Sequence, residues 1–69
     1  MTNRLKNIGL NIKKYRKQRG LSQIDLAVEV GIDRSYLSEI ENGRTNPSIN
    51  VLYAIADSLK LQIVQIFEE

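Results

Sequence analysis

Among residues 34–42, near the middle of the chain, five side chains that donate or accept hydrogen bonds are spaced to share one face of a helix: Arg34, Ser35, Ser38, Glu39 and Asn42. On a helix that turns by about 100° per residue they share one arc, while Leu37 and Ile40 lie opposite, with Glu41 beside them. An arginine can bind O6 and N7 of guanine together, and serine or glutamate can bond to other base edges. We therefore expect the first four of the five to read bases in a major groove.

Each of these side chains also has a structural interpretation. Arg34 can form a surface ion pair with Asp33 or Asp25 instead of contacting a base. Glu39 can accept a hydrogen bond from cytosine, or it can only tune repulsion. Asn42 can simply end the helix, since asparagine is an ordinary turn residue. The two serines favour the binding interpretation, because serine is a poor helix former and its small side chain lets another molecule come close.

Polar residues on either side of this helix are candidate phosphate contacts. Gln23 follows Ser22, a good helix N-cap, so its amide and the free N–H groups of a helix N-terminus would form a phosphate site. Lys17, in a basic segment before it, is a further candidate. Four more candidates end the helix of residues 34–42 or follow it directly, and they suit phosphates on the other side of the groove: Asn42, Arg44, Thr45 and Asn46.

The formal net charge of +2 is unevenly distributed along the chain. Residues 1–23 carry seven basic side chains and no acid, whereas residues 24–43 carry one arginine and five acids. A basic segment attracts nucleic acid, but a solvated helix face has the same composition. The charge pattern therefore supports a nucleic-acid partner only together with the motif.

The composition argues against several other classes of function. There is no cysteine and no histidine among the 69 residues, so the commonest general bases, nucleophiles and metal ligands are absent. A chain this short leaves little wall for a substrate pocket. We expect no enzyme activity, no catalytic residue, no metal, no cofactor and no small-molecule ligand. No stretch reaches the roughly 18 to 20 apolar residues that span a bilayer, and no signal peptide is evident, which indicates a cytoplasmic protein.

Five short helices must position these side chains. Apolar periodicity, capping residues and glycines predict one all-α domain over residues 1–69, with helices at about 5–19, 23–30, 34–42, 49–59 and 62–68. In the second helix we expect Ile24, Ala27 and Val30 to line the buried side. Asp33 is expected to cap the third helix. The fourth helix places Leu52, Ile55, Ala56 and Leu59 on one stripe.

The second and third helices are joined by only Gly31, Ile32 and Asp33. Gly31 supplies a turn conformation that a Cβ atom would resist. Ala27 is small enough to let the third helix approach, and Ile32 fills the corner between the helices. A connection of this length predicts a helix-turn-helix over residues 23–43, with the second of its helices as the recognition helix.

The segment GLSQIDLAVEVGIDRSYLSEIENGRTNPS, with the basic KKYRKQR before it, resembles the lambda repressor/Cro-type (XRE) helix-turn-helix family. Matching features follow one another in order over residues 8–67. The resemblance implies a five-helix, lambda-repressor-like domain that acts as a sequence-specific transcriptional regulator. It also resembles the short controller proteins of restriction-modification systems and small phage or plasmid regulators.

The resemblance implies roles for particular residues. Gln23 matches a glutamine that contacts the DNA backbone and supports the first recognition residue. Asn42 matches a phosphate contact, and three residues match base-reading positions: Arg34, Ser35 and Ser38. Arg16 and Glu41 match a partly buried ion pair that joins the first and third helices, so the resemblance makes both structural.

The last two helices carry more apolar side chains than one inward stripe can use. An apolar patch bordered by polar groups often marks an interface, although five short helices can also bury everything. With the resemblance, we expect a homodimer on a near-palindromic operator, with recognition helices about 34 Å apart. The residues expected at this interface are Val51, Tyr53, Val64 and Phe67.

A second class of function remains open at this point. The same fold serves as an antitoxin-type or coactivator-type module that binds a protein. The basic first helix and the small polar face of the third favour DNA instead. Activation and repression are not distinguished by the sequence, and RNA polymerase is an additional candidate partner.

Overall fold

The computed structural model describes residues 3–69, and within that range the chain forms five helices and no strand: α1 (Arg4–Gln18), α2 (Gln23–Val30), α3 (Arg34–Glu41), α4 (Ile49–Ser58) and α5 (Ile63–Ile66). The predicted all-α class is confirmed, and the first four helices lie within one residue of their expected bounds. Helix α1 packs on α3 and α5, α2 packs on α3 and α4, and α4 packs on α5. None of these helices is long and apolar enough to cross a membrane.

One hydrophobic core joins all five helices: Ile12, Leu26, Ala27, Leu37, Ile40, Leu52, Ile55, Ala56, Leu59 and Ile66. The expected stripe on α4 is confirmed. The expected buried side of α2 is wrong at Ile24, which is 60% exposed, and Leu26 is buried there instead. Ile24 precedes Leu26 by two residues and so lies about 200° away around the helix. The buried residues of α2 are Leu26 and Ala27, and Val30 beside them is half-buried.

Four helices end with the same backbone motif. After each, a residue with positive φ lets the next N–H bond to a carbonyl five residues earlier, as Ile32 N does to Ala27 O at 3.0 Å. Three of the positive-φ residues are glycines: Gly20, Gly31 and Gly43. The fourth is Lys60, with φ of 58°. The motif ends each helix abruptly and so allows the short connections between them.

The N-termini of α2 and α4 are capped by serine, as expected. At α2, Ser22 Oγ accepts from the backbone N–H of Asp25, and the Asp25 carboxylate accepts from the backbone N–H of Ser22, both at 3.0 Å. The bond from the backbone of Ser22, and then the bond from its hydroxyl, lower the pKa of Asp25. This contribution to stability is present above the carboxyl's unfolded pKa and is lost as pH falls through the folded one. Asp33 takes the N-cap position of α3, but its side chain makes no capping hydrogen bond.

The fifth helix is shorter than predicted, with four residues instead of seven. After Ile66 the chain leaves the helix, and the carbonyls of Ile66 and Glu68 accept hydrogen bonds from Asn11 on α1. Phe67, expected within the helix, lies just after it and is exposed. Side chains of another helix thus replace the last turn that periodicity alone predicts.

Helices α1 and α3 come close together at Gly9, a position that the sequence analysis does not single out. Gly9 is buried, and a Cβ atom built there would overlap the backbone carbonyls of Ile40 and Glu41. Those carbonyls end α3, so α1 lies directly against the C-terminus of the recognition helix. The close approach depends on the absence of a side chain at this position.

Replacing Gly9 with alanine tests this contact by the sign of the effect. Alanine favours a helix over glycine by about 1 kcal/mol, so an uncrowded site would be stabilised. Because backbone atoms must shift here, we expect Gly9→Ala to lower the free energy of unfolding by about 1–3 kcal/mol. Urea unfolding followed by circular dichroism measures it, with Gln18→Ala, at an exposed position of α1, as the control. A more stable Gly9→Ala variant would contradict the close approach.

Candidate nucleic-acid interface

Helix α3 presents the predicted polar arc to solvent. Arg34, Ser35 and Glu39 are exposed, and Ser38 is half-buried. On the opposite side three residues are buried, as expected: Leu37, Ile40 and Glu41. The side chains of Ser35 and Ser38 are short and project little from the helix, so a binding partner can come close to the helix backbone.

A buried ion pair joins the C-terminus of α3 to α1. Arg16 Nε lies 2.7 Å from Glu41 Oε2, and Arg16 Nη2 lies 3.0 Å from Glu41 Oε1. The third nitrogen, Nη1, donates to the Leu21 carbonyl at 2.8 Å. Both side chains are almost fully buried. The two-point geometry fixes the orientation of the carboxylate, which is the pairing that the resemblance implied for these residues.

Gln23 extends this pair to the surface. Its Nε2 donates to Glu41 Oε1 at 3.0 Å, and its Oε1 accepts from Arg34 Nη1 at 3.2 Å. The hydrogen bonds therefore run from buried Arg16 through Glu41 and Gln23 to exposed Arg34. Both ends of the Gln23 amide are bonded within the protein, so its side chain supports Arg34, and its place at the start of α2 leaves backbone N–H groups for a phosphate.

The alternative interpretation of Arg34 as a surface ion pair is not what the structure shows. Within residues 3–69, Arg34 forms no ion pair with Asp33 or Asp25, and Gln23 is its side-chain partner. A neutral amide holds the guanidinium without neutralising it. The positive charge of Arg34 is thus directed outward at the start of α3.

The end of α3 contains two contacts that bear on the other candidates. Asn42 Nδ2 donates to the Ser38 carbonyl at 2.9 Å, so Asn42 ends the helix. Arg44 Nη1 lies 3.8 Å from Glu39 Oε2 in an exposed ion pair. Such a pair contributes little and is easily exchanged for another partner. Arg44 is therefore available to an incoming phosphate, and Glu39 is available to a base.

The remaining phosphate candidates lie at the surface on both sides of α3. Lys17 is exposed on α1, Asn46 is exposed after α3, and Thr45 is half-buried. Of the basic side chains in α1, Arg16 alone is buried, because Glu41 pairs with it. Within residues 3–69 no group of acids could hold a metal ion.

The expected dimer residues lie on the outer faces of α4 and α5, with one exception. Tyr53, Val64 and Phe67 are exposed, whereas Val51 is half-buried and packs against the core. Ile49, which sequence reasoning missed, is exposed one helical turn before Tyr53. Its position at i−4 relative to Tyr53 was the signal that could have identified it.

Known proteins combine this fold with DNA regulation. The family described as helix-turn-helix matches residues 12–66. The immunity repressor protein of Bacillus phage phi105 is 44% identical over 62 residues, which are 90% of this chain and 43% of that protein. The crystal structure of the restriction-modification controller protein C.AhdI from Aeromonas hydrophila superposes with a TM-score of 0.89 at 33% identity, covering 91% of this chain and 96% of that one.

A third match includes nucleic acid. The crystal structure of the biofilm regulator SinR, a protein known from Bacillus subtilis, in complex with DNA has a TM-score of 0.82 at 42% identity, over 88% of this chain and 98% of that one. The chain spans about half of the length of several curated relatives: 43% of the phi105 immunity repressor, 57% of SinR from Bacillus subtilis and 41% of the regulator SlrR from the same bacterium. The expected fold is confirmed, and a phage repressor and a controller protein are both among the matches.

The buried pair predicts unequal costs for two glutamate substitutions on α3. We expect Glu41→Ala to lower the free energy of unfolding by about 3–5 kcal/mol, because Arg16 would keep a buried charge without a partner. Glu39→Ala breaks the exposed pair with Arg44 and should change stability by no more than about 0.5 kcal/mol. Urea unfolding of the two variants gives the comparison. Equal, small losses would show that the Arg16–Glu41 pair does not hold α3 in place.

Proposed function

The chain belongs to the helix-turn-helix family, and from this we propose that it is a transcriptional regulator that binds duplex DNA in a sequence-specific way. Helix α3 lies in the major groove, with its outer arc against the base edges. The observation that carries the proposal is the outward guanidinium of Arg34, held by Gln23 at the start of a helix whose outer face is otherwise short and polar. A solvated helix face would not require a buried ion pair to support one surface arginine.

Base reading is assigned to four residues of α3. Arg34, pre-oriented by Gln23, forks onto guanine O6 and N7. Ser35 and Ser38 bond to neighbouring base edges at short range. Glu39 leaves its weak pair with Arg44 and accepts from a cytosine amino group, while Arg44 turns to a phosphate. Arg44 thus exchanges one charged partner for another, and Glu39 exchanges a charged partner for a neutral hydrogen-bond donor.

Phosphate contacts lie on both sides of the groove. At the start of α2, the free N–H groups and the partial positive charge of the helix attract a phosphate near Gln23. The segment after α3 supplies Arg44, Thr45 and Asn46, with Asn42 at the helix end. Lys17 adds a charge from α1. These groups set the register of α3 in the groove and contribute affinity without sequence preference.

We propose that the regulator acts as a homodimer on a near-palindromic operator. The support is a set of exposed apolar side chains on two helices that pack on each other: Ile49, Tyr53, Val64 and Phe67. Val51, the other residue expected at this interface, is half-buried and lies about 180° around α4 from Ile49 and Tyr53, so it is not part of this set. A two-fold axis through this face would present two copies of α3 to one side of the duplex, about 34 Å apart. We further propose that the protein works in the cytoplasm, on the nucleoid, with RNA polymerase as a partner where it activates.

Three variants test whether α3 reads bases. Each removes one positive charge, and one of them removes it away from the proposed interface as a control. Selection from a random duplex library first identifies the bound sequence. Arg34→Ala should then reduce discrimination at one guanine by a factor that corresponds to about 1–3 kcal/mol. Arg44→Ala should weaken all sequences alike and reduce the slope of log affinity against log salt by about 1. Lys60→Gln, which removes an exposed charge after α4, should change neither.

Fluorescence anisotropy at several salt concentrations gives both readouts. Absence of salt-sensitive binding of the wild-type chain to any duplex would refute the proposed function. If Arg34→Ala and Lys60→Gln had equal effects, the protein would still bind DNA, but α3 would not be the element that reads the bases.

One pair of identical substitutions tests the dimer face. Val64 on α5 and Val28 on α2 are both exposed, at 61% and 74%. Val64→Asp should weaken dimerisation by about tenfold or more, which corresponds to 1.4 kcal/mol, because it places a charge in an apolar interface. Val28→Asp should not weaken it. Sedimentation equilibrium measures the dimerisation constant of each variant. If Val28→Asp weakened dimerisation more than Val64→Asp, the interface would lie on α2 instead.

A further inference from the structure

Three side chains of α1 bind the segment that follows α5. Asn7 Nδ2 donates to the Glu68 carbonyl at 2.7 Å, and Asn11 Nδ2 donates to the Ile66 carbonyl at 2.8 Å and also to that of Glu68. Tyr15 donates its hydroxyl hydrogen to the Glu68 carboxylate at 3.0 Å. These residues are four apart along α1 and form one row, which we call the α1 polar stripe: Asn7, Asn11 and Tyr15.

The α1 polar stripe supplies hydrogen-bond donors that α5 cannot supply for its own C-terminal end. Helix α5 is so short that most of its carbonyls lie in its last turn, where helical partners run out. Val64 O still accepts from the Phe67 N–H at 3.1 Å, whereas the Ile66 carbonyl takes its donor from α1. A single turn is also unstable in isolation. Asn11 is buried and both of its observed bonds go to this segment. The direction of α5 is therefore set by α1, in addition to the packing of Ile66 in the core.

The same helix holds α3 on a different face, about 150° around its axis from the α1 polar stripe. Gly9 lets the backbone of α1 reach the last carbonyls of α3, and Arg16 binds Glu41 at the end of that helix. Helix α1 thus contacts the recognition helix and the proposed dimer face by separate sets of residues. It packs closely on both α3 and α5.

We propose that α1 sets the distance and angle between the recognition helix and the dimer face, and that Asn11 is the positioning residue that thereby selects the spacing of operator half-sites. This inference rests on the proposed function. Val64 and Phe67 lie within two residues of Ile66 in the chain, and the Ile66 carbonyl accepts a hydrogen bond from Asn11. Without the hydrogen bond from Asn11 to that carbonyl, the single turn of α5 can rotate, and both side chains rotate with it. Because the two-fold axis passes through this face, a small rotation there is doubled between the two copies of α3.

A spacing series tests the role of Asn11 separately from folding. The wild-type chain, Asn11→Ala and Gln18→Ala are measured by anisotropy on palindromes whose half-sites are at the optimal spacing or one and two base pairs away. A single half-site duplex is measured in parallel. Gln18 is the control because it is an exposed amide of the same helix with no side-chain hydrogen bond within residues 3–69.

We expect the wild-type chain and Gln18→Ala to prefer one spacing by about tenfold or more, since rigid dimers match one geometry. Asn11→Ala should reduce that preference to about threefold or less, while its affinity for the single half-site stays within about twofold of wild type. A merely structural role would lower half-site binding together with the preference. If Asn11→Ala keeps the tenfold preference, or loses half-site binding to the same extent, the inference is wrong.

A second variant covers the case in which Asn11→Ala does not fold. Asn7→Ala removes one exposed hydrogen bond to the same carbonyl and should reduce the spacing preference by about twofold to threefold with the half-site affinity retained. No change in that variant would overturn the inference. If the wild-type chain binds no palindrome better than a single half-site, the proposed dimer itself fails, which is a different result from a spacing preference that survives in Asn11→Ala.

Discussion

The buried ion pair between Arg16 and Glu41 is the interaction on which the rest of the structure depends. Two charges are removed from water, and their three hydrogen bonds to each other and to the Leu21 carbonyl compensate for that loss only in one geometry. That geometry fixes the C-terminus of α3 against α1. It also orients the carboxylate that Gln23 binds, and Gln23 in turn holds Arg34. The binding surface is thus an extension of the buried pair.

The consequence for recognition is pre-organisation. In the proposed complex with DNA, a mobile arginine would lose rotamer entropy on binding a base, whereas the hydrogen bond from Arg34 to Gln23 already removes part of that freedom. Glu39 and Arg44 show the opposite arrangement, a weak exposed pair that DNA can separate at low cost. The outer face of α3 therefore combines one supported group with two that exchange partners. Helix α1 links this face to the proposed dimer surface.

The helix-turn-helix and the inward arc of α3 could be predicted because periodicity, caps and glycines act locally. What could not be predicted depends on contacts between distant residues. Gly9 is an ordinary helical glycine in the sequence, and only the approach of α3 explains it. Nothing local in the sequence marks Asn11 as buried, yet it is buried against the end of α5. For Ile24, apolar character suggested burial, but the position of α3 and α4 selects Leu26 instead. Of the site, the resemblance implied the support of Arg34 by Gln23, while the exchangeable pair of Glu39 and Arg44 required the structure.

The central claim, that Gln23 transmits the orientation of the buried pair to Arg34, is tested most directly by a double-mutant cycle. The quantity measured is the free energy of discrimination between the preferred guanine and a substituted base, for wild type, Gln23→Ala, Arg34→Ala and the double variant. We predict that the two substitutions are coupled by about 1 kcal/mol or more, because removing Gln23 matters chiefly while Arg34 is present. Effects that add to within about 0.5 kcal/mol would show that Gln23 and Arg34 act independently, and would contradict the account.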